Sequence, residues 1–243
     1  MSDTESKPKQ PVATFGTAAN ERDTYDLQAR EAKEKLTAEE VKAHWDTRAE
    51  RADVQSVMSA RHSLEENQRA TVELQKEIFD FLEGLIDHKR VFELGIGIGR
   101  MTQELAKKAK AVVGIDLSPV MLERARENLQ SFSNVELLLG KITELDLPPK
   151  SFDLLFESIV LLHILNPEEL KATIAKMQEL SDTICIVEHT YEGPDFPISK
   201  YSILRNPEEY ETLFTPYQLV KQKTHLCAGD KFTLMLFKKA NAE

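Results

Sequence analysis

The feature that most constrains this chain is a set of three glycines, Gly95, Gly97 and Gly99, between the apolar stretch Val91–Leu94 and the amphipathic stretch Met101–Lys108. The whole sequence holds only nine glycines, so three at alternate positions mark a special backbone. A plain strand-to-helix turn needs one. Three permit tight turning and let the main chain approach a ligand closely. In open α/β sheets, the crevice beyond the carboxyl ends of the strands is where ligands bind.

The flanking pattern agrees with such a sheet. From Lys89 onward, short apolar runs at Val91–Leu94, Ala111–Ile115, Val135–Leu139, Phe152–Phe156 and Thr183–Val187 alternate with helical stretches. Ser118 with Pro119, Asn166 with Pro167, and Asn206 with Pro207 supply helix starts between them. Two alternating runs, Leu219–His225 and Lys231–Lys238, close the sequence as an antiparallel pair. The expected fold is α/β: a doubly wound, Rossmann-like, mostly parallel sheet of seven strands with an antiparallel C-terminal edge. Before it, residues 1–22 read as a polar arm and residues 23–88 as a helical cap or lid, with capping-box pairs Thr37/Glu40 and Ser63/Glu66. The binding domain is expected over residues 89–243. Residues 189–205, with Gly193, Pro194 and Pro197, have no period and read as an active-site loop.

The residues around the glycines narrow the ligand. A dinucleotide fingerprint requires a third glycine where Arg100 stands. Glu93, two residues before the first glycine, suits an ammonium group and opposes a pyrophosphate. Asp116 ends the second strand, where an acid takes ribose hydroxyls. The ligand should therefore carry a ribose and a cationic amino group and lack phosphate, as S-adenosylmethionine does.

Glu93-Leu94-Gly95-Ile96-Gly97-Ile98-Gly99 resembles the first motif of class I S-adenosylmethionine-dependent methyltransferases, and Gly114-Ile115-Asp116-Leu117-Ser118-Pro119 resembles the second. The resemblance covers roughly residues 88–188. It implies that Glu93, Gly95, Gly97 and Gly99 hold the methionine end and Asp116 the ribose. It also implies that Leu117 and Met121 flank the adenine, although Met121 suits ordinary helix packing equally well. Gly140-Lys141-Ile142 aligns with a Gly-Asp-Ala stretch of the family; Lys141 replaces the acid there, leaving the backbone of Ile142 to meet the adenine. Glu157-Ser158 stands where many enzymes acting on planar amino nitrogens have Asn-Pro-Pro-Tyr, which counts against such acceptors. His44-Trp45-Asp46-Thr47-Arg48-Ala49 is similar to a segment that precedes many small-molecule methyltransferase domains as a lid, though Trp45 could equally anchor its helix.

Methyl transfer from a sulfonium is an in-line displacement from an activated donor, so positioning in a dry pocket can supply most of the catalysis. Where a proton must leave, His163 and His189, after the fourth and fifth strands, are the candidate bases. Trp45, Arg61, His62, Glu188 and Tyr191 are the candidate acceptor contacts. Glu157, Glu188 and His189 were weighed as a cation site, but their spacing specifies no metal.

With 31 basic and 41 acidic residues the net charge is -10, which repels a phosphate backbone unless a basic patch compensates, and none is evident. Nucleic acid is not expected as substrate, and no apolar run reaches the roughly 18 residues of a membrane span. Cys185 and Cys227, the only cysteines, read as reduced core residues of a cytoplasmic protein. The expected partner is a small metabolite or natural product, methylated on O, N or C. A peptide or protein substrate, or a cofactor-binding member without transfer activity, are the alternatives. The helical N-terminus offers a surface through which a homodimer could pair.

Overall fold

A computed structural model describes residues 30, 32–51, 53–59, 62–190 and 199–240. The expected arm over residues 1–22, together with Arg61 and Tyr191, lies outside the described residues. Seven strands form one sheet in the order β3-β2-β1-β4-β5-β7-β6. They are β1 (Arg90–Leu94), β2 (Ala111–Asp116), β3 (Val135–Leu139), β4 (Leu154–Ser158), β5 (Thr183–His189), β6 (Tyr217–Cys227) and β7 (Asp230–Lys239). The first five run parallel, and β7 pairs antiparallel with both β5 and β6, as the alternation of the sequence predicts.

Helices α1 (Ala38–Ala49) and α2 (Leu64–Phe81) precede the sheet. α3 (Arg100–Lys108), α4 (Pro119–Leu129), α5 (Pro167–Leu180) and α6 (Pro207–Phe214) connect or cover its strands. Both expected capping boxes are present: the Thr37 hydroxyl accepts the Glu40 N–H, the Ser63 hydroxyl that of Glu66, and each glutamate reaches back. Ser118, Asn166 and Asn206 cap α4, α5 and α6, each with proline in the first turn.

Because successive strand side chains point to opposite faces, each strand feeds two cores. Val91, Leu154, Phe156, Val187 and Leu234 pack on one side with Leu74 and Ile78 of α2 and Leu105 of α3. Phe92, Leu155, Ile186 and Phe237 pack on the other with Leu170 and Ile174 of α5 and Phe214 of α6. This differs from the expectation that residues 23–88 act together as a cap. α2 buries a continuous apolar stripe against the sheet and belongs to the domain's outer layer, whereas α1 buries only Ala49 along its length. No described helix is long and apolar enough to cross a membrane.

Candidate active site

A single cleft opens over the carboxyl ends of β1, β2 and β4, and its floor is built by the glycine turn. Gly95 and Gly97 both have positive φ, +69° and +54°, a conformation that L side chains rarely adopt. A Cβ on Gly97 would lie 2.8 Å from Val57, and one on Gly95 would run into Val160. Glu93 is 3% exposed and lines the cleft. Its Oε2 accepts a hydrogen bond from the Thr102 hydroxyl at 2.7 Å. Burial pushes its carboxyl up to about 8, against the pull of that hydroxyl and of the nearby Arg100 guanidinium. Arg100 also lines the cleft, and its Nη1 is buried without a hydrogen-bond partner.

On β2, Asp116 is fixed by two backbone donors: Oδ2 accepts from Gly97 N–H at 2.8 Å and Oδ1 from Ser118 N–H at 2.9 Å. Burial raises its carboxyl above the usual range although these amides oppose the shift. Each oxygen keeps a second lone pair for a ligand hydroxyl. At the far edge, Lys141 pairs with Glu169 of α5 at 2.6 Å, and both line the cleft. The acid missing at position 141 is thus replaced in space by one from another element.

The opposite wall comes from α1 and from the short turn after β4. Trp45 lies edge-on to His163 with ring centroids 4.8 Å apart, and both face the cleft. His163 Nδ1 lies 2.6 Å from the Tyr201 carbonyl, which can only accept, so Nδ1 carries the proton and Nε2 is the acceptor nitrogen. Burial drives the His163 pKa down to about 3, so the ring is neutral. Arg48 holds the segment after α1 by donating to the carbonyls of Ser56 (3.0 Å) and Met58. Asp46 accepts from the Ser118 hydroxyl at 2.5 Å, tying α1 to the start of α4. Ala49 packs with Ile98 and Met121.

The sequence pattern of a family described as "Methyltransferase domain" matches residues 91–182, the stretch that contains every floor residue above. Residues 91–182 are therefore similar to a methyltransferase domain. Among curated proteins, it is 30% identical over 141 residues to phosphoethanolamine N-methyltransferase 1 of Triticum aestivum, covering 56% of this chain and 27% of that protein. It is 29% identical over 108 residues to demethylmenaquinone methyltransferase of Tropheryma whipplei, covering 44% and 45%. The chain thus spans between about a quarter and a half of the curated relatives it matches. Among solved structures, Haemonchus contortus phosphoethanolamine N-methyltransferase 1 superposes with a TM-score of 0.67 at 20% identity, over 86% of this chain and 51% of that one. The N-methyltransferase NodS of Bradyrhizobium japonicum superposes with a TM-score of 0.65 at 16% identity, over 83% and 99%. These likenesses are of fold.

The cleft brings together Glu93, Gly95, Gly97, Asp116, Leu117, Met121, Ile142, Trp45 and His163. Four expected residues stand elsewhere. Gly99 lies behind the turn as the N-cap of α3, against Leu129. His62 sits 3.7 Å from Asp230, at the β6–β7 hairpin. Glu188 and His189 are candidates for the acceptor end of the cleft, but as adjacent strand residues they face opposite ways. Glu188 is fully buried beneath the turn after β4, while the His189 ring lies 4.2 Å from that of Phe232. Arg100, Ser158 and the wall residues Val160 and Ile164 line the cleft without having been singled out. Arg100 was readable only as the residue that excludes a dinucleotide.

Proposed function

We propose that this protein transfers the methyl group of S-adenosylmethionine to an O, N or C nucleophile of a small, largely apolar metabolite or natural product, in the cytoplasm. The observation that carries this reading is one cleft with two unlike ends. At the floor, Glu93 faces the ligand's amino group, the unpartnered Arg100 Nη1 its carboxylate, and Asp116 its ribose. This polar set fits an adenosyl amino acid. Ile142 with Leu117 and Met121 supply an apolar adenine slot, and the Glu169 carboxylate stands at its edge in place of the absent acid.

At the other end Val41, Trp45, Val160 and Ile164 make a dry wall around His163. Bound donor supplies a methyl group already activated on a sulfonium. The chain's own task is then to orient the acceptor and exclude water. His163 suits this role through Nε2, which can take a hydrogen bond from an acceptor hydroxyl or amine. With a pKa near 3, it orients that proton better than it removes it. His189 lies off the cleft and is not needed for the step.

The test is binding first, then transfer. S-adenosylhomocysteine should raise the melting temperature of the wild-type protein, and Asp116→Ala should abolish that rise. Radiolabelled methyl should then appear in the small-molecule fraction of a metabolite extract. Label appearing only in protein fractions would sink the proposed acceptor class, and the absence of any binding would sink the donor.

A further inference from the structure

Beneath the acceptor wall lies a buried pair of acids that neither the donor floor nor the wall uses directly. β4 and β5 are parallel neighbours, with Glu157 opposite Ile186 and Ser158 opposite Val187. Glu157 and Glu188 therefore project from adjacent strands into the same layer, that of α5 and α6, and both are fully buried. Two adjacent carboxylates cannot both ionise in such a place. Burial first and mutual repulsion second raise Glu157 far above its usual range, and burial raises Glu188 as well.

Their four oxygens divide into two sets. Glu157 Oε2 accepts from Val160 N–H at 2.9 Å, and Glu188 Oε1 accepts from Val160 N–H at 3.1 Å and from Leu162 N–H at 3.2 Å. Glu157 Oε1 and Glu188 Oε2 are buried with no other partner, and the two carboxyl groups lie within hydrogen-bond reach of each other. One shared proton satisfies both.

The turn they hold is strained. Ile159 has φ +63°, an outlier for a β-branched residue that persists only where its surroundings enforce it. On the far side Arg205 donates to the carbonyls of Leu161 (3.1 Å) and Ile164 (3.4 Å), and Ile203 N–H to that of Leu162 (2.8 Å). The amides of the turn are thus held by the acid pair and its carbonyls by the 203–205 segment. The same turn presents Val160, His163 and Ile164 to the cleft.

We propose that Glu157 and Glu188 are positioning residues: joined by one shared proton, they clamp the 159–162 turn and so set where Val160 and His163 meet the methyl acceptor. That an acceptor sits against this wall rests on the function proposed above; the clamp itself does not.

Other ionisable groups whose charge acts on the pair are Tyr210, Arg205 and Cys185. Burial raises Tyr210 and Cys185 further above their already alkaline ranges, and His163 titrates near 3. Glu93, which burial pushes up to about 8 and which lines the same cleft as Trp45, is the competing source of any change.

Trp45 is the only tryptophan and its ring touches His163, so its fluorescence reports the wall without any ligand. In wild-type protein, Trp45 emission should change reversibly as pH rises above the usual carboxylate range and the shared proton is lost. Glu188→Gln keeps an acceptor for both amides and a donor toward Glu157 without a titrating proton. It should show wild-type low-pH emission and a transition displaced from the wild-type one, because Glu157 then titrates without an acidic partner. Glu188→Ala should shift Trp45 emission and its quenching by acrylamide at every pH, while S-adenosylhomocysteine affinity stays within about twofold of wild type.

A transition that survives unchanged in Glu188→Gln would belong to another group, Glu93 first among them, and overturn the clamp, as would a flat wild-type titration or a wild-type-like Glu188→Ala. Should Glu188→Ala not fold, the Glu188→Gln comparison still decides. A wild-type protein that fails to bind S-adenosylhomocysteine removes the methyl-donor reading and leaves the Trp45 titration standing as the test of the clamp.

Discussion

Glu93 gives the sharpest quantitative expectation. Its carboxyl titrates near 8 because it is buried before ligand arrives. The proposed ligand presents an ammonium group, which pairs with the ionised form only. Binding at neutral pH must therefore expel a proton from Glu93. With a pKa of about 8, roughly one site in eleven is ionised at pH 7 and one in a hundred at pH 6, by the usual titration relation. The dissociation constant for S-adenosylhomocysteine should thus tighten about tenfold from pH 6 to pH 7, a difference of about 1.4 kcal/mol. Calorimetry at pH 7 in buffers of different ionisation enthalpy should report close to one proton released, about 0.9 by the same relation.

Glu93→Gln removes both effects: binding weakens, and the remaining pH dependence falls to whatever Asp116 contributes. Folding stability moves the opposite way. A carboxyl whose folded pKa is raised binds more protons folded than unfolded between its unfolded value and about 8, so the ligand-free protein loses stability as pH rises through that window. A dissociation constant that is constant from pH 6 to pH 7.5, or a Glu93→Gln variant with the wild-type slope, would refute the link between this acid and the ligand's amino group.

Two further outcomes follow from the floor and the lid. Gly95→Ala forces a side chain toward Val160 at a positive φ; it should lower S-adenosylhomocysteine affinity by at least tenfold while far-UV circular dichroism stays native. Arg48→Ala strips the donors from the carbonyls of Ser56 and Met58, groups that a half-buried guanidinium satisfies. Limited proteolysis should then cut the 50–62 segment faster than in wild type, with thermal stability reduced by about 1–3 kcal/mol; an unchanged cleavage rate would show that the segment is held by packing alone.

Much of the architecture was legible because it depends on local rules. Ser118-Pro119, Asn166-Pro167 and Asn206-Pro207 cap helices in the structure for the same reasons they marked helix starts in the sequence: an oxygen for orphan amides and a ring that needs no donor. The spacing of Glu93, the glycines and Asp116 placed the floor because one strand-turn-helix unit and its neighbour contain all of it. Three things were not legible. The stripe on α2 looks the same whether it covers a cleft or a sheet, and only the tertiary partner decides. Lys141 seemed to remove an acid from the adenine edge, yet Glu169, 28 residues on in the chain, restores one. Glu157, Glu188 and His189 looked like one cluster, but strand alternation joins the first two and turns the third away. The left-handed Ile159 that the pair holds has no signature in the sequence.

The fastening of α1 has a kinetic consequence. Through Asp46 it is tied to Ser118, two residues beyond Asp116. Through Trp45 and the stacked His44–Tyr201 rings, 3.9 Å apart, it is tied to the opposite wall. One helix therefore roofs both halves of the cleft, and neither half can be uncovered without disturbing its hold on the other. In the transfer proposed above, spent donor and methylated product would share an exit, so their departures would be coupled and the opening of the roof, rather than the displacement at carbon, would set the pace of turnover.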